Sequence, residues 1–150
     1  MNKEEINEFS ARISQSNKTQ IVVITYEIII NYLDSGKNCL DNRDETGFVF
    51  NLKKARQFVN QLSSVLDFKY EISFELMNLY MYASDNLLKS ELRREDINLG
   101  MVRDIMVKLK DSFEQVSELD TSLPALGNTE KIYEGLTYGK NGRGTVMVSK

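Results

Sequence analysis

Apolar residues recur with a helical period over most of the first 120 positions. The clearest stripe advances in steps of four and three: Phe48, Leu52, Ala55, Val59, Leu62 and Leu66. Two further stripes share this period: Ile72, Leu76, Leu79, Ala83 and Leu87, then Val102, Ile105, Leu109, Phe113 and Val116. Such a period places the side chains of each stripe on one face of a helix. The pattern predicts three long amphipathic helices, near residues 48–66, 71–92 and 97–118.

The segment from Ile21 to Leu40 is the ambiguous part of the pattern. It is rich in β-branched residues, which favour strands. Its apolar stretch contains no turn signal before Gly36, and no other segment of the first 120 residues resembles a strand that could pair with it. Polar residues recur in it at steps of three: Asn31, Asp34 and Lys37. We therefore predict a helix near 20–44, apolar nearly all round, which belongs inside a bundle or has a second face covered.

A short helix should precede the four long ones. In the charged segment Lys3–Ser14, Ile6, Phe9 and Ile13 fall on one side of a helix. Short polar connectors between the long segments imply that neighbouring helices are antiparallel. The expected fold class is all-α: an antiparallel four-helix bundle over residues 1–120, with a short N-terminal helix.

Residues 121–150 differ from the rest of the chain in composition. They contain Pro124, the only proline, and five of the eight glycines, and they carry a net charge of +2 against −5 for residues 1–120. We predict an extended or flexible tail that the bundle does not need for stability. Asn141-Gly142 is a type I′ hairpin signal between two apolar runs. Because an isolated hairpin is marginal, disorder or docking onto the bundle remains open.

Composition excludes several classes of function. The 150 residues include no His, and Cys39 is the only cysteine. The chain therefore lacks a Ser-His-Asp or Cys-His catalytic unit, an imidazole zinc site and an internal disulfide. We predict no enzyme, no metal and no cofactor. Cys39 is expected to be a buried small residue, and the absence of disulfides fits a cytoplasmic compartment.

Charge and hydropathy argue against nucleic acid and membrane as partners. The net charge is −3, whereas nucleic-acid binding normally needs a basic patch. The densest apolar run, Ile21–Leu33, is interrupted by Glu27 and Asn31, and it is shorter than the roughly 20 residues of a membrane span. Met1–Glu8 carries three Glu ahead of any apolar stretch, unlike a secretory signal. We expect neither nucleic-acid binding nor membrane insertion.

One predicted helix carries more large apolar residues than a single core stripe uses. Met77, Tyr80, Met81 and Tyr82 crowd beside Leu76 and Leu79. Two interpretations stay open at this point. These residues form a bulky bundle core, or they line a groove for a partner helix, since Met and Tyr make large, adaptable contacts.

Four motifs in order make the chain resemble the flagellin-specific export chaperone family, FliS. Asn51-Leu52-Lys53-Lys54-Ala55, followed by Leu62 and Leu66-Asp67, is similar to that family's N-L-x-K-A…L…L-[DN] run. Leu79-Tyr80-Met81-Tyr82 resembles its L-Y-x-Y, and Leu109–Phe113 resembles its [LF]-R-x-A-W. Ile21–Tyr26 is similar to its apolar run ending in Leu-Tyr. The resemblance covers about residues 9–118.

Two departures from the family pattern concern the N-terminal region. Glu27-Ile28 stands where the family has Asp-Gly, and Gln15-Ser16-Asn17-Lys18 replaces its Thr-x-Ser/Thr-Pro before the first long helix. We expect these changes to affect the N-terminal cap more than the fold.

The resemblance implies a cytoplasmic helical bundle that binds the C-terminal amphipathic segment of flagellin. Such a chaperone prevents premature polymerisation and delivers flagellin to the flagellar export apparatus, without ATP or metal. The predicted partner-binding residues are Ile21, Ile24, Ile28, Leu52, Val59, Tyr80 and Tyr82. Some of them should be partly exposed, or be covered by an N-terminal cap of Phe9 and Ile13. The alternative function is a self-associating regulatory helical-bundle module, in which the extra apolar surface makes a homodimer.

Overall fold

A computed structural model describes residues 1–119 together with residues 132, 135 and 136. Its helices, in order, are α1 Lys3–Ser14, α2 Lys18–Asp41, α3 Glu45–Ser64, α4 Ile72–Arg93 and α5 Leu99–Ser117. The described residues include no strand. The predicted all-α bundle is confirmed, including a helix rather than a strand over Ile21–Ile30.

Two compact units make up the chain, and both α2 and α5 contribute to each of them. The first unit contains Met1–Thr25 and the described residues from Lys110 onward, and the second contains Tyr26–Leu109. In the second unit, short connections join consecutive helices, so these run antiparallel.

Side chains from all four helices hold the second unit together. Tyr32 of α2 stacks on Phe58 of α3 with ring centroids 6.1 Å apart. The core of the second unit contains residues of the predicted stripes, residues from the inner face of α2 and three further apolar residues of α3, α4 and α5. Its members include Ile28, Ile29, Phe48, Leu52, Ala55, Phe58, Val59, Leu62, Leu76, Tyr80, Ala83, Leu87, Val102 and Met106. Burial of these apolar side chains is the main force that stabilises the unit.

Local capping explains where helices start and stop. Helix α2 ends at Asp41, three residues before the predicted end, and Arg43 then takes a left-handed φ of 60°. The side chain of Asp44 accepts a hydrogen bond from the Gly47 N–H and begins α3 there. An acceptor at this position satisfies an N–H that the first helical turn leaves unpaired.

The first unit contains two reciprocal capping arrangements. Asn2 caps α1 by accepting from the Glu5 N–H, and the Glu5 carboxylate accepts from the Asn2 N–H. Asn17 and Gln20 make the same pair of bonds at the start of α2, at 2.9 and 3.0 Å. The cap of the first long helix is thus Asn17, in the segment where the sequence departs from the family pattern. Such a reciprocal arrangement, called a capping box, orients the chain where it enters the helix.

The predicted tail lies mostly outside the described residues, as do Asn141 and Gly142. Its three described residues, Ile132, Gly135 and Leu136, are helical rather than extended. Ile132 and Leu136 are buried.

None of the helices in the described part of the chain is long and apolar enough to cross a membrane.

Candidate partner-binding surfaces

The nine predicted site residues, seven for partner binding and two for the N-terminal cap, are divided between the two units. The first unit contains Ile21 and Ile24 of α2 together with the cap residues Phe9 and Ile13. The second contains Ile28, Leu52, Val59, Tyr80 and Tyr82. Of the seven partner-binding positions, only Tyr82 is exposed, at 39%, and the other six are buried.

Tyr80 is a core residue and not a surface tyrosine. Only 2% of it is exposed, and its hydroxyl shares a 2.5 Å hydrogen bond with the hydroxyl of Tyr26. Burial raises the pKa of both phenols above the ordinary value, so both stay protonated near neutral pH. Tyr80→Ala would therefore empty part of the core, so Tyr80 is not one of the partner-binding residues that the structure leaves partly exposed.

A hollow of about 450 Å³ lies between α3 and α4 in the second unit. Asn60 and Ser63 line it from α3, and the hydroxyl of Ser84 donates to the Asn60 side chain at 3.2 Å. The α4 side is lined by the crowded Met and Tyr residues and two polar neighbours: Met77, Tyr80, Met81, Tyr82, Ser84 and Asp85. The structure thus brings the predicted cluster to one edge of α4, with an apolar rim and hydrogen-bonding groups beside it.

The sequence placed Met77, Tyr80, Met81 and Tyr82 in one cluster that could line a groove, but the predicted partner-binding set included only the two tyrosines. Asn60 and Ser63 were in neither. Met77 and Met81 are four residues apart and therefore on one helix edge, which is a signal the sequence contains. Nothing in the sequence marks Asn60 and Ser63, because their place beside α4 depends on how α3 packs against it.

Further apolar side chains stand exposed on the second unit. Phe68 and Phe74 pair at the α3–α4 connection, with ring centroids 5.0 Å apart, and both remain accessible to solvent. Other large exposed residues are Val65, Tyr70, Ile72, Met81, Leu88 and Leu92. A concentration of exposed aromatic, Met and Leu side chains is typical of a protein–protein contact surface.

In the first unit, α1 lies beside the first turns of α2 and the last turns of α5. A hollow of about 330 Å³ is lined by Arg12, Gln15, Ser16, Gln20, Val23, Ile24, Glu114 and Ser117. Phe9 and Ile13 are the only two α1 side chains that are fully buried. An isolated helix of 12 residues is only marginally stable in water. Helix α1 therefore depends on its contacts with the rest of the unit, which include the buried Phe9 and Ile13.

Cys39, the single thiol of the chain, lies near Asn51 and Asp44. Cys39 is half-buried, not buried as expected, and its sulfur lies 3.6 Å from the Asn51 Nδ2. Burial and the neighbouring Asp44 raise the pKa of this thiol, which makes it a poor nucleophile at neutral pH. Among the residues described by the structure, no group of three Cys, Asp or Glu side chains is placed to hold a metal ion.

Comparison with known families identifies the chain. No curated protein matches the chain significantly. The family model described as "Flagellar protein FliS" matches residues 1–120, which include all five helices and both surfaces described above. The chain therefore belongs to the FliS family of flagellar export chaperones.

Proposed function

We propose that this chain is a cytoplasmic chaperone that binds the C-terminal amphipathic segment of flagellin, prevents its premature polymerisation and delivers it to the flagellar export apparatus. Binding alone performs this work, without catalysis, ATP or metal. The observation that supports the proposal is that α1 buries only Phe9 and Ile13, in the same unit as the buried Ile21 and Ile24 of the predicted partner-binding set. A client helix with more apolar contacts would replace α1.

The energetics favour exchange of α1 for a client helix. Two fully buried side chains contribute roughly 1.5–3 kcal/mol each, and the cost of ordering a marginal helix offsets part of that gain. We infer that displacement of α1 would uncover Ile21 and Ile24, which belong to the predicted partner-binding set and lie in the first two turns of α2. The client would then cover the same apolar surface that α1 covers in the unbound chain.

The hollow of the second unit provides a second anchoring place for the client. Tyr82 and Met81 form an apolar rim there, and Asn60 and Ser63 offer donors and acceptors to a helix end or an extended segment. Ile28, Leu52, Val59 and Tyr80 support this surface from below as buried core residues. We assign them to its support and assign direct contact to Tyr82.

Calorimetric titration with a peptide of the flagellin C-terminal segment tests the proposal. We expect a 1:1 complex, weak salt dependence and a clearly negative heat-capacity change, because a disordered client that folds on binding buries a large apolar area. Phe9→Ala combined with Ile13→Ala should raise affinity by about tenfold or more, since it weakens the competing helix. Ile6→Ala, on the same helix but incompletely buried, is the matched control.

Tyr82→Ala should weaken the complex. Tyr70→Ala removes a tyrosine that is more exposed, at 60% against 39%, but does not line the hollow, and it should leave the affinity unchanged. Absence of a 1:1 complex with the unaltered chain would contradict the proposal. Unchanged affinity in the Phe9 and Ile13 double variant would show that α1 does not compete for the site.

A further inference from the structure

Two apolar residues beyond α5 are buried in the first unit. Ile132 and Leu136 are both helical, and only 5% and 1% of their surfaces are exposed. They are four positions apart, so they lie on the same side of a helical turn. We call Ile132 and Leu136 the C-terminal pair. Its burial requires an apolar surface within the first unit.

Helix α1 buries a pair of the same kind in the same unit. Phe9 and Ile13 are also four positions apart, and they are 8% and 0% exposed. Apart from these two pairs, the buried apolar side chains among the described residues of the first unit are Ile21, Val23 and Ile24. All three lie at the beginning of α2. Both pairs thus share their unit with one buried apolar surface, the beginning of α2.

The end of α5 offers the C-terminal pair no comparable surface. Val116 lies in the last turn of α5 and Leu119 follows that helix, and they are 53% and 84% exposed. Side chains on which the pair had packed would be covered instead. Among the described residues of the first unit, the beginning of α2 is therefore the apolar surface that best accounts for the burial of the pair.

The beginning of α2 is covered from more than one direction. Ile21 and Val23 are two positions apart, which corresponds to about 200° around a helix. Both are buried, at 2% and 5% exposure, so neighbours lie on nearly opposite sides of α2. Val23 lies on the side of α1 and α5, since it lines the hollow of the first unit together with Arg12 and Glu114. Helix α1 alone therefore cannot cover both sides.

We propose that the C-terminal pair is a second cover of the beginning of α2, which flagellin must displace, as it displaces α1, to reach its full binding surface. This inference rests on the proposed function, because it concerns the regulation of the same client site. The two covers come from opposite ends of the described chain, and one apolar pair holds each of them. Each cover can therefore open without the other.

The turn that carries the C-terminal pair is suited to release. Gly135 precedes Leu136 and is helical as well. Glycine is one of the weakest helix formers, so a turn that contains it is not stable by itself and depends on the burial of the pair. A client helix that supplies more apolar contacts to α2 would replace it.

Two covers lower the apparent affinity for a client more than one cover does. Only molecules with an open α2 beginning bind the client, and the apparent dissociation constant is the intrinsic constant divided by the open fraction. Removal of the C-terminal pair raises that fraction and tightens binding, although it also removes buried contacts and lowers stability. A pair with a merely structural role would show the loss of stability without the gain in affinity.

Calorimetric titration of the full chain with the flagellin C-terminal peptide tests the proposal, at a temperature where circular dichroism shows every variant folded. The variant with Ile132→Ala and Leu136→Ala should bind about tenfold or more tightly than the unaltered chain. Combination with Phe9→Ala and Ile13→Ala should give tighter binding than either double variant. Leu119→Ala, at an exposed leucine beyond α5, is the control and should leave the affinity unchanged.

Hydrogen exchange follows the cover itself. Without flagellin, Ile132→Ala with Leu136→Ala should speed exchange of the α2 amides over Ile21–Thr25 and leave the α3 amides of the second unit unchanged. In the unaltered chain, binding of the flagellin peptide should speed exchange of the amides next to Leu136, because the released turn loses its protection.

Unchanged or weaker client affinity without the C-terminal pair would overturn the proposal, as would a combined variant that binds no more tightly than the α1 variant. Amides next to Leu136 that stay protected in the complex would overturn it too, since the pair would then remain in place beside the client. Absence of binding by every variant would overturn the proposed function and this inference with it. Faster exchange of α2 without flagellin would in that case identify the pair as a structural contact only.

Discussion

The hydroxyl oxygens of Tyr26 and Tyr80 lie 2.5 Å apart in a buried hydrogen bond that joins α2 to α4. Their rings are tilted toward each other with centroids 6.5 Å apart. Tyr26 lies within the apolar run Ile21–Leu33 of α2, and Tyr80 belongs to the crowded Met and Tyr cluster of α4. The bond is one of the contacts that join the buried face of α4 to α2.

Removal of one hydroxyl from this pair should destabilise the second unit. Tyr80→Phe and Tyr26→Phe should each cost about 1–2 kcal/mol of unfolding free energy, and the double variant should cost less than their sum. Tyr80→Ala should cost about 3 kcal/mol or more, whereas the exposed Tyr82→Ala should cost under about 1 kcal/mol. Urea unfolding of these five variants and of the unaltered chain measures each loss of unfolding free energy. Strict additivity of the two Phe substitutions would show that the hydroxyls do not interact.

The buried amine of Lys54 predicts a rise in stability at alkaline pH. Burial lowers its pKa from 10.5 to about 8, and its Nζ lies 5.9 Å from the centroid of the Phe58 ring. Between about pH 8 and 10.5 the unfolded chain binds more protons at this residue, so its contribution to stability rises with pH. Below pH 8 the full cost of burying the charge is present.

Lys54→Met should remove that slope. The difference in unfolding free energy between the unaltered chain and Lys54→Met should change by up to about 3 kcal/mol from pH 7 to pH 10.5. Lys53→Met, at the exposed neighbouring position, should show no comparable change. A pH-independent difference for Lys54→Met would mean that the amine is as well solvated in the folded chain as in the unfolded one.

Two ion pairs of different burial should contribute unequally to stability. Arg56 of α3 donates two hydrogen bonds, of 2.6 and 2.9 Å, to the buried carboxylate of Glu91 in α4. Glu91→Gln leaves a largely covered guanidinium without its anion and should cost about 2–3 kcal/mol. The exposed Arg94–Glu45 pair, at 3.7 Å, is the control, and Glu45→Gln should cost under about 0.5 kcal/mol. Equal losses of unfolding free energy for Glu91→Gln and Glu45→Gln, measured by thermal or urea unfolding, would contradict this ranking.

Leu136 should contribute to stability although it lies beyond the predicted bundle. It is 1% exposed, whereas Leu119, another leucine past the last long helix, is 84% exposed. We expect Leu136→Ala to lower unfolding free energy by about 2 kcal/mol and Leu119→Ala to leave it nearly unchanged. Truncation after Leu119 should then destabilise the chain. An unchanged melting temperature of the truncated chain would instead support the prediction from composition that the bundle does not need residues 121–150 for stability.

Some features were fixed by local sequence alone. The apolar period gave the location of α3 and α4 to within a few residues, since side-chain spacing depends only on helix geometry. The β-branched composition of Ile21–Ile30 favours a strand, but the absence of a partner strand predicted a helix there. Asn17 and Gln20 also form a local signal, a reciprocal cap that spacing alone could have revealed.

The division between core and surface required the tertiary structure. Tyr80 and Tyr82 are the same residue type, two positions apart, and both lie in a helix with more apolar residues than one stripe needs. Two positions correspond to about 200° around a helix, so burial of one exposes the other. Which of them faces inward depends on the rotation of α4 against α2 and α3, and that rotation is set by contacts between residues far apart in the chain, such as Tyr26 with Tyr80. The exposure of Phe74, Met81 and Leu92 on α4 has the same origin, because these residues are as apolar as those of the core and differ only in which neighbours the fold gives them.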